Sequence, residues 1–542
     1  MKRRLLSLAI AAMVLLLSAQ SILASETVSL HNISSKHPSD AVTISGSSTW
    51  DEVTVKVMRP NQSILYINVL TGENFSDTFT LPADTQLGTY TVVAGQGSST
   101  AVTTFEVRRK STGGGTSSRR KKKPAEKPPK IEGEQADISQ NAEVKKQRQA
   151  DGTVSVRASV SIEAVEKALA HQQVESIVID LQEDAEDVVI SLPAEAMEAM
   201  GEEETKLILK IDDVTLEIPA EIIHGAELAS ALGVDEEEMD ILIKVSELAE
   251  KEADKLRAKA TQTAKSLRPI GKVLTFSIEA AGKGKTVKVE DFGELTVKGE
   301  IPYRSQDIKG IEDLQKLNVY KYNETTEKWE YRRSKGDTEN KKVIFYTQDF
   351  SNYTIMENNK TFADIRNHWA RENIELMAAK HVVNGMNEDT FAPEEKVTRA
   401  QFATMLVNAL GITNREAGTS FSDVKAGGWY YESVMAAAEA GLVTGVGGGR
   451  FAPDANITRE QMAVMIMRAY GYSTGEDYEE ISDPAGGFKD RDEISGWAEQ
   501  AVNAANHLGI VTGVTADRFA PADEATRAQA AVMINRLLES NE

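Results

Sequence analysis

The chain of 542 residues contains no cysteine. That excludes disulfide staples, thiol nucleophiles and cysteine-bound metals. Histidine is scarce too, with seven residues and no cluster at metal-ligand spacing. Basic residues are outnumbered, 61 Lys and Arg against 83 Asp and Glu, for a formal net charge of -22. Duplex nucleic acid is therefore excluded as a partner for the body of the protein. There is no Gly-x-Ser-x-Gly elbow and no phosphate loop. The acidic run "DEEEMD", Asp235 to Asp240, lacks the alternating ligands and turn glycine of a calcium loop and reads as a solvated helix face. No metal and no cofactor are expected.

Long apolar runs are missing after the first residues. "MKRRLLSLAIAAMVLLLSAQSILAS" has a basic start, an apolar core from Leu5 to Leu17 and a cleavage site closed by Ala24. Residues 1–24 read as a secretory signal, with no transmembrane segment left after its removal. "RLLESNE" ends the chain without a hydrophobic tail, and "LPADT" at Leu81 lacks the final Gly of a sortase signal. If the protein stays on the cell, a non-covalent hold is expected.

Residues 25–108 are rich in Val, Thr and Ser, with period-2 runs such as "DEVTVKVMRP" and "GTYTVVAG". They predict a small immunoglobulin-like β-sandwich, with Trp50 in core or edge packing. Residues 109–130 form a basic Gly- and Pro-rich linker. The middle alternates strand and helix patterns and predicts an α+β spacer over 131–268 and a β-rich spacer over 269–358. "VSELAEKEADKLRAKATQTAKSL" reads as one long helix stopped by Pro269, and "KVIFYTQDFSNYTIM" as a last strand pair.

The C-terminal part is a threefold repeat over 361–415, 419–475 and 485–542. Each unit opens with Phe-x-Asp, supplying Asp364, Asp423 and Asp490. A tryptophan follows at Trp369, Trp429 or Trp497, then a first helix. Gly385, Gly445 or Gly513 precedes the Phe of Phe-Ala-Pro by six residues, and that Phe precedes a Thr by seven. Gly441 and Gly509 suit a left-handed helix end, while His381 stands in their place in the first unit. The second helices carry apolar stripes, Phe402, Met405, Leu406, Ala409 and Leu410 in the first, with Gly411 and Gly471 ending the first two.

At the head of each stripe stands Thr-Arg-x-Gln. Thr398 with Gln401, Thr458 with Gln461 and Thr526 with Gln529 have capping-box spacing. Arg399, Arg459 and Arg527 do not fit that purpose, because a cation at the first helical position opposes the helix dipole. They ask for a partner, either an internal carboxylate or an anionic ligand. The tryptophans read as core or as sugar platforms. The aspartates read as turn caps, arginine partners or ligand contacts.

This series resembles the S-layer homology (SLH) domain, present as a triplet, with Gln where the family usually has Glu. The resemblance implies an all-α bundle of three repeats in pseudo-threefold arrangement. It also implies binding of secondary cell-wall polysaccharide, often pyruvylated, in grooves between repeats. By motif position Arg399, Arg459 and Arg527 would contact the acidic sugar. The three Asp, Trp and turn Gly residues would shape the grooves. The implied protein is a non-catalytic, secreted wall-surface protein, an S-layer subunit or a protein associated with one, with other S-layer subunits as further partners. Two rival readings stay open: an anchored hydrolase with its catalytic module in 131–360, and an adhesin using the N-terminal β domain.

Overall fold

The computed structural model describes residues 28–107, 127–412, 421–481 and 488–540, apart from positions 32, 34, 51, 61–62, 73, 83–84, 87, 97–98, 150–151, 172 and 184. The expected signal peptide and residues 109–126 of the expected linker lie outside the described residues. The chain divides into two units, at Lys123 and Pro124.

The first unit is all β. Strands β1 (Val28–Leu30), β2 (Ala41–Ser48) and β5 (Asn74–Thr80) form one sheet, and β4 (Ile64–Thr71), β3 (Glu52–Met58), β6 (Gly88–Gln96) and β7 (Ser99–Val107) another, in those orders. Alternation decides which face is buried: Val42 and Ile44 on β2 meet Val53, Val55 and Val57 on β3, with Tyr90 and Phe105, in one core. Trp50 is partly buried against it.

In the second unit the middle region holds a nine-stranded and an eight-stranded sheet. One apolar core runs through residues of both, from Ala136 to Ile355. The boundary expected at Pro269 is therefore corrected. Pro269 lies inside the strand Leu267–Gly282, which pairs with Asp240–Glu247 on one side and Asn352–Asn358 on the other. A register shift between Ile270 and Leu274, with Gly271 at φ 66, is the irregularity that admits a proline there. The long helix is also corrected: Val245 to Glu247 belong to the strand Asp240–Glu247, and the helical part is Glu250–Ala258 followed by Ala260–Thr263. The expected last strand pair goes to different sheets, Lys342–Thr347 to the eight-stranded and Asn352–Asn358 to the nine-stranded one. "DEEEMD" is an exposed 3-10 turn, Glu236–Glu238, leading into a strand.

The C-terminal part is helical: α1 (Arg371–Ala379), α2 (Arg399–Leu410), α3 (Tyr431–Glu439), α4 (Arg459–Thr474), α5 (Glu499–His507) and α6 (Arg527–Ser540). Their apolar stripes share one core, including Phe402, Leu406, Met462, Ile466, Ala530 and Ile534. Gly411 ends α2 in the left-handed conformation, but Gly471 lies inside α4, which continues to Gly475. The segments Val382–Val383 and Leu442–Val443 are buried but form no strand.

The first repeat is bolted to the middle region. Lys316 pairs with Glu375 at 3.1 Å, and the amides of Asn318 and Asn358 both donate to the Ala379 carbonyl. His381 adopts the same left-handed turn as Gly441 and Gly509, at φ 57. Its conformational cost is offset by contacts a glycine could not make: its Nε2 lies 3.0 Å from the Tyr320 hydroxyl and its ring 4.5 Å from that of Tyr331. Packing against these groups favours the neutral imidazole.

Candidate functional site

The boundary between repeats is built around Phe-Ala-Pro. Ala392, Ala452 and Ala520 all have positive φ, between 57 and 60. Alanine avoids that region, and a residue before proline is normally extended. The Phe-x-Asp carboxylates hold the strained turn. Asp364 accepts from the N–H groups of Phe391 (3.0 Å) and Ala392 (2.7 Å). Asp423 does so for Phe451 and Ala452, and Asp490 for Phe519 and Ala520. Burial alone would raise these carboxyl pKa values, but the paired N–H bonds outweigh it and hold them below the ordinary range.

The turn glycines are required by close approach and not by φ. A Cβ on Gly445 would meet the Arg450 carbonyl at 2.7 Å, and one on Gly385 or Gly513 would run into the ring of Phe362 or Phe488.

The arginines face inward. Arg399, Arg459 and Arg527 are 6%, 3% and 4% exposed. Each crosses to the next repeat and takes two main-chain carbonyls. Arg399 donates to Phe451 O (2.9 Å) and Thr444 O (3.0 Å). Arg459 donates to Phe519 O and Thr512 O, both at 2.8 Å. Arg527 returns to the first repeat, to Phe391 O (2.9 Å) and Asn384 O (2.6 Å). Each guanidinium also lies 4.6–4.9 Å from the centroid of the Phe ring whose carbonyl it holds. The partner is thus a pair of carbonyls, where a carboxylate or a ligand was expected. Burial pushes the Arg459 pKa down to about 10, partly offset by Asp523 and Asp490, which leaves it charged at neutral pH.

The helix starts are plugged in the same cyclic way. The N–H groups of Arg399 and Ala400 donate to Ala455 O and Pro453 O, those of Arg459 and Glu460 to Asp523 O and Pro521 O, and those of Arg527 and Ala528 to Glu395 O and Pro393 O. Donors that an α-helix leaves orphaned are satisfied by the neighbouring repeat. At the centre, Val397 donates to Ala525 O, Ala525 to Ile457 O and Ile457 to Val397 O, a closed triangle of main-chain bonds. Thr398 with Gln401 forms a complete capping box, and Thr526 with Gln529 makes both reciprocal bonds. In the second repeat Thr458 caps Gln461 N, but the Gln461 side chain lies 3.4 Å from Arg399 Nη1 instead.

What faces outward is different. Trp369, Trp429 and Trp497 are 65%, 64% and 59% exposed, so the core alternative is set aside. Trp369 borders a groove of about 340 Å³ together with Arg459, Thr512, Gly513, Gln529 and Arg536. One groove thus joins a tryptophan from the first repeat, an arginine from the second and a turn glycine from the third. The aspartates do not border it. Sequence reasoning missed Thr512 and Arg536. Their signal was present: "VTG" occurs in two units where the first has "VNG", and an Arg stands nine residues after the Thr-Arg arginine in those same two units. Larger hollows, of about 450, 730 and 860 Å³, lie where the first repeat meets the middle region, the smallest of them bordered also by Tyr472 and Asn535 from the other repeats.

Residues 361–403, 420–463 and 487–531 match the S-layer homology domain. Among curated relatives, an amylopullulanase of Thermoanaerobacterium thermosulfurigenes is 41% identical over 235 residues, 43% of this chain and 12% of that protein. An exoglucanase, XynX, of Acetivibrio thermocellus is 40% identical over 187 residues, 34% of this chain and 17% of that one. An S-layer protein of Bacillus thuringiensis subsp. finitimus is 34% identical over 177 residues, 32% of this chain and 21% of that one. The chain therefore spans between 12% and 21% of the length of these relatives. Its C-terminal part, within residues 361–531, consists of three S-layer homology domains.

Proposed function

We propose that the protein is a non-catalytic, exported surface protein that holds to the cell wall through its SLH repeats, by binding secondary cell-wall polysaccharide. The observation that carries this reading is the groove shared by Trp369, Arg459 and Gly513. An aromatic face open to solvent beside a guanidinium suits a sugar ring bearing an acidic group, such as a pyruvyl ketal. By the cyclic order of the repeats, Arg399 and Gly445 with Trp497, and Arg527 and Gly385 with Trp429, make the equivalent grooves. The aspartates Asp364, Asp423 and Asp490 act by holding the loops that shape them. Three such grooves on a repeating polymer give avidity. The cyclic arginine bonds support a pseudo-threefold arrangement of the repeats. The N-terminal unit, with its three- and four-stranded sheets around one core, is read as an immunoglobulin-like domain displayed outward, and the middle region as a scaffold. Membership of an S-layer, with other subunits as partners, belongs to the same reading.

The test is sedimentation of the full chain with wall sacculi, before and after chemical stripping of the polymer. Binding should vanish with the polymer. Equal pelleting with stripped peptidoglycan would overturn the reading.

The enzyme names among the relatives favour a second reading, a wall-anchored hydrolase with its chemistry in residues 131–360. Against it stands the pairing of Glu300 with Lys342, at 2.6 Å, in the open hollow of about 580 Å³. A glycan-hydrolysis screen of the full chain separates the two.

A further inference from the structure

The three repeat boundaries look alike in sequence, yet they differ in charge. In the third repeat two guanidiniums meet on one threonine. Arg459 donates to the Thr512 carbonyl at 2.8 Å, and Arg536 donates to the Thr512 hydroxyl at 3.2 Å. The second repeat repeats the pattern: Arg399 takes the Thr444 carbonyl at 3.0 Å, and Arg468 the Thr444 hydroxyl at 3.2 Å. The first repeat breaks it. Arg527 still takes the Asn384 carbonyl at 2.6 Å, but residue 384 has no hydroxyl and the place of Arg468 and Arg536 is held by Asn408.

The second arginines are half-buried, and among the described residues neither has a carboxylate within ion-pair distance. Two like charges held on one residue repel each other, and a chain of net charge -22 has carboxylates to spare for neutralising them. Leaving the second guanidinium without a carboxylate beside a groove is the arrangement of an anion site waiting for its anion. Arg536 borders the groove of the third repeat directly, together with Trp369 and Arg459. In the first repeat Arg527 remains, but the second charge is replaced by the neutral amide of Asn408. Thr404 stands where the other second helices carry Val464 and Val532, and its hydroxyl is buried without a partner.

We infer that the grooves grip their sugars unequally: those of the second and third repeats hold a carboxylate-bearing saccharide through a second guanidinium, Arg468 or Arg536, which that of the first, with Asn408 in its place, does not supply. The inference rests on the polysaccharide reading above and deepens it. A polymer that alternates acidic and neutral units would then seat in one register, because an acidic unit gains a second guanidinium at only two of the three places.

The experiment uses the full chain and two probes: wall polysaccharide released by hydrofluoric acid from the host wall, and the same polymer with its carboxylates reduced to alcohols. Affinity is measured by calorimetry for the wild type, for R468Q/R536Q and for T404V/N408A. The wild type should prefer the native polymer, roughly tenfold for each arginine engaged. R468Q/R536Q should lose that preference while keeping its affinity for the reduced polymer and its melting temperature. T404V/N408A should weaken both polymers equally and keep the preference. An R468Q/R536Q protein that still prefers the native polymer overturns the inference. So does a wild type that binds both polymers equally, although anchoring would then stand. A wild type that binds neither overturns the anchoring reading and this inference with it.

Discussion

Arg527 in the last repeat donates to the carbonyl of Phe391 in the first, across 136 residues of chain, and so closes the three repeats on themselves. The bond is buried, charge-assisted and matched by a second one to Asn384 O. Arg527→Ala leaves two buried carbonyls without donors and removes the cation from the Phe391 ring. We expect a loss of about 3 kcal/mol in the stability of the second unit, measured by denaturant unfolding followed at the SLH tryptophans. Arg527→Lys should recover less than half of it, because an ammonium cannot fork to two carbonyls. A stable Arg527→Ala protein would show that the ring does not depend on this tie.

Trp369 should behave in the opposite way. It is 65% exposed, so Trp369→Ala is expected to leave the melting temperature within about one degree, given that exposed substitutions rarely exceed ~0.5 kcal/mol. Its loss should appear in polymer binding, read as reduced pelleting with sacculi. Unchanged pelleting by the triple variant W369A/W429A/W497A would remove the tryptophans from the site.

The Asp490 carboxylate gives a pH dependence. Its pKa in the fold lies below the usual 3.8, held down against burial by the N–H groups of Phe519 and Ala520. As pH falls, the unfolded chain takes up the proton first. The stabilisation is therefore present above about pH 4 and is lost as pH falls through the lower native value. Asp490→Asn should cost about 2 kcal/mol at neutral pH and flatten the acid limb of the stability curve. A variant with the same acid limb as the wild type would place the titration elsewhere.

His381 makes the first repeat part of the middle region. His381→Gly keeps the left-handed turn without strain but loses the contacts to Tyr320 and Tyr331. We expect the middle region and the repeats to melt in one calorimetric transition in the wild type and in two in His381→Gly. A single transition in His381→Gly and in the double variant with Lys316→Met would mean that the junction rests on other contacts.

Much of this site was legible in the sequence because it repeats. The spacings from turn glycine to Phe-Ala-Pro and on to Thr-Arg-x-Gln located the second helices and their caps at Thr398, Thr458 and Thr526. The partners of the arginines were not legible. Main-chain carbonyls leave no mark in a sequence, and the carbonyls in question belong to another repeat. The Phe-x-Asp residues were ambiguous for the same reason, since the Asp364 bonds reach residues 27 and 28 positions away. In the middle region, Pro269 read as a stop because proline usually is one; it is tolerated because its end of the strand pairs only with Asn352–Asn358, the pairing with Asp240–Glu247 beginning at Leu274, beyond a bulge. The apolar runs around Val343 and Ile355 sit close in the chain but pair in different sheets, a choice set by distant strands.

The triangle formed by Val397, Ile457 and Ala525 has no loose end. A two-repeat version would leave a helix start without its carbonyls, and a fourth repeat would find no vacancy. The triplet is therefore a cassette that travels whole. Trimming it by one repeat would forfeit the fold, so a fusion to any new cargo has to carry all three.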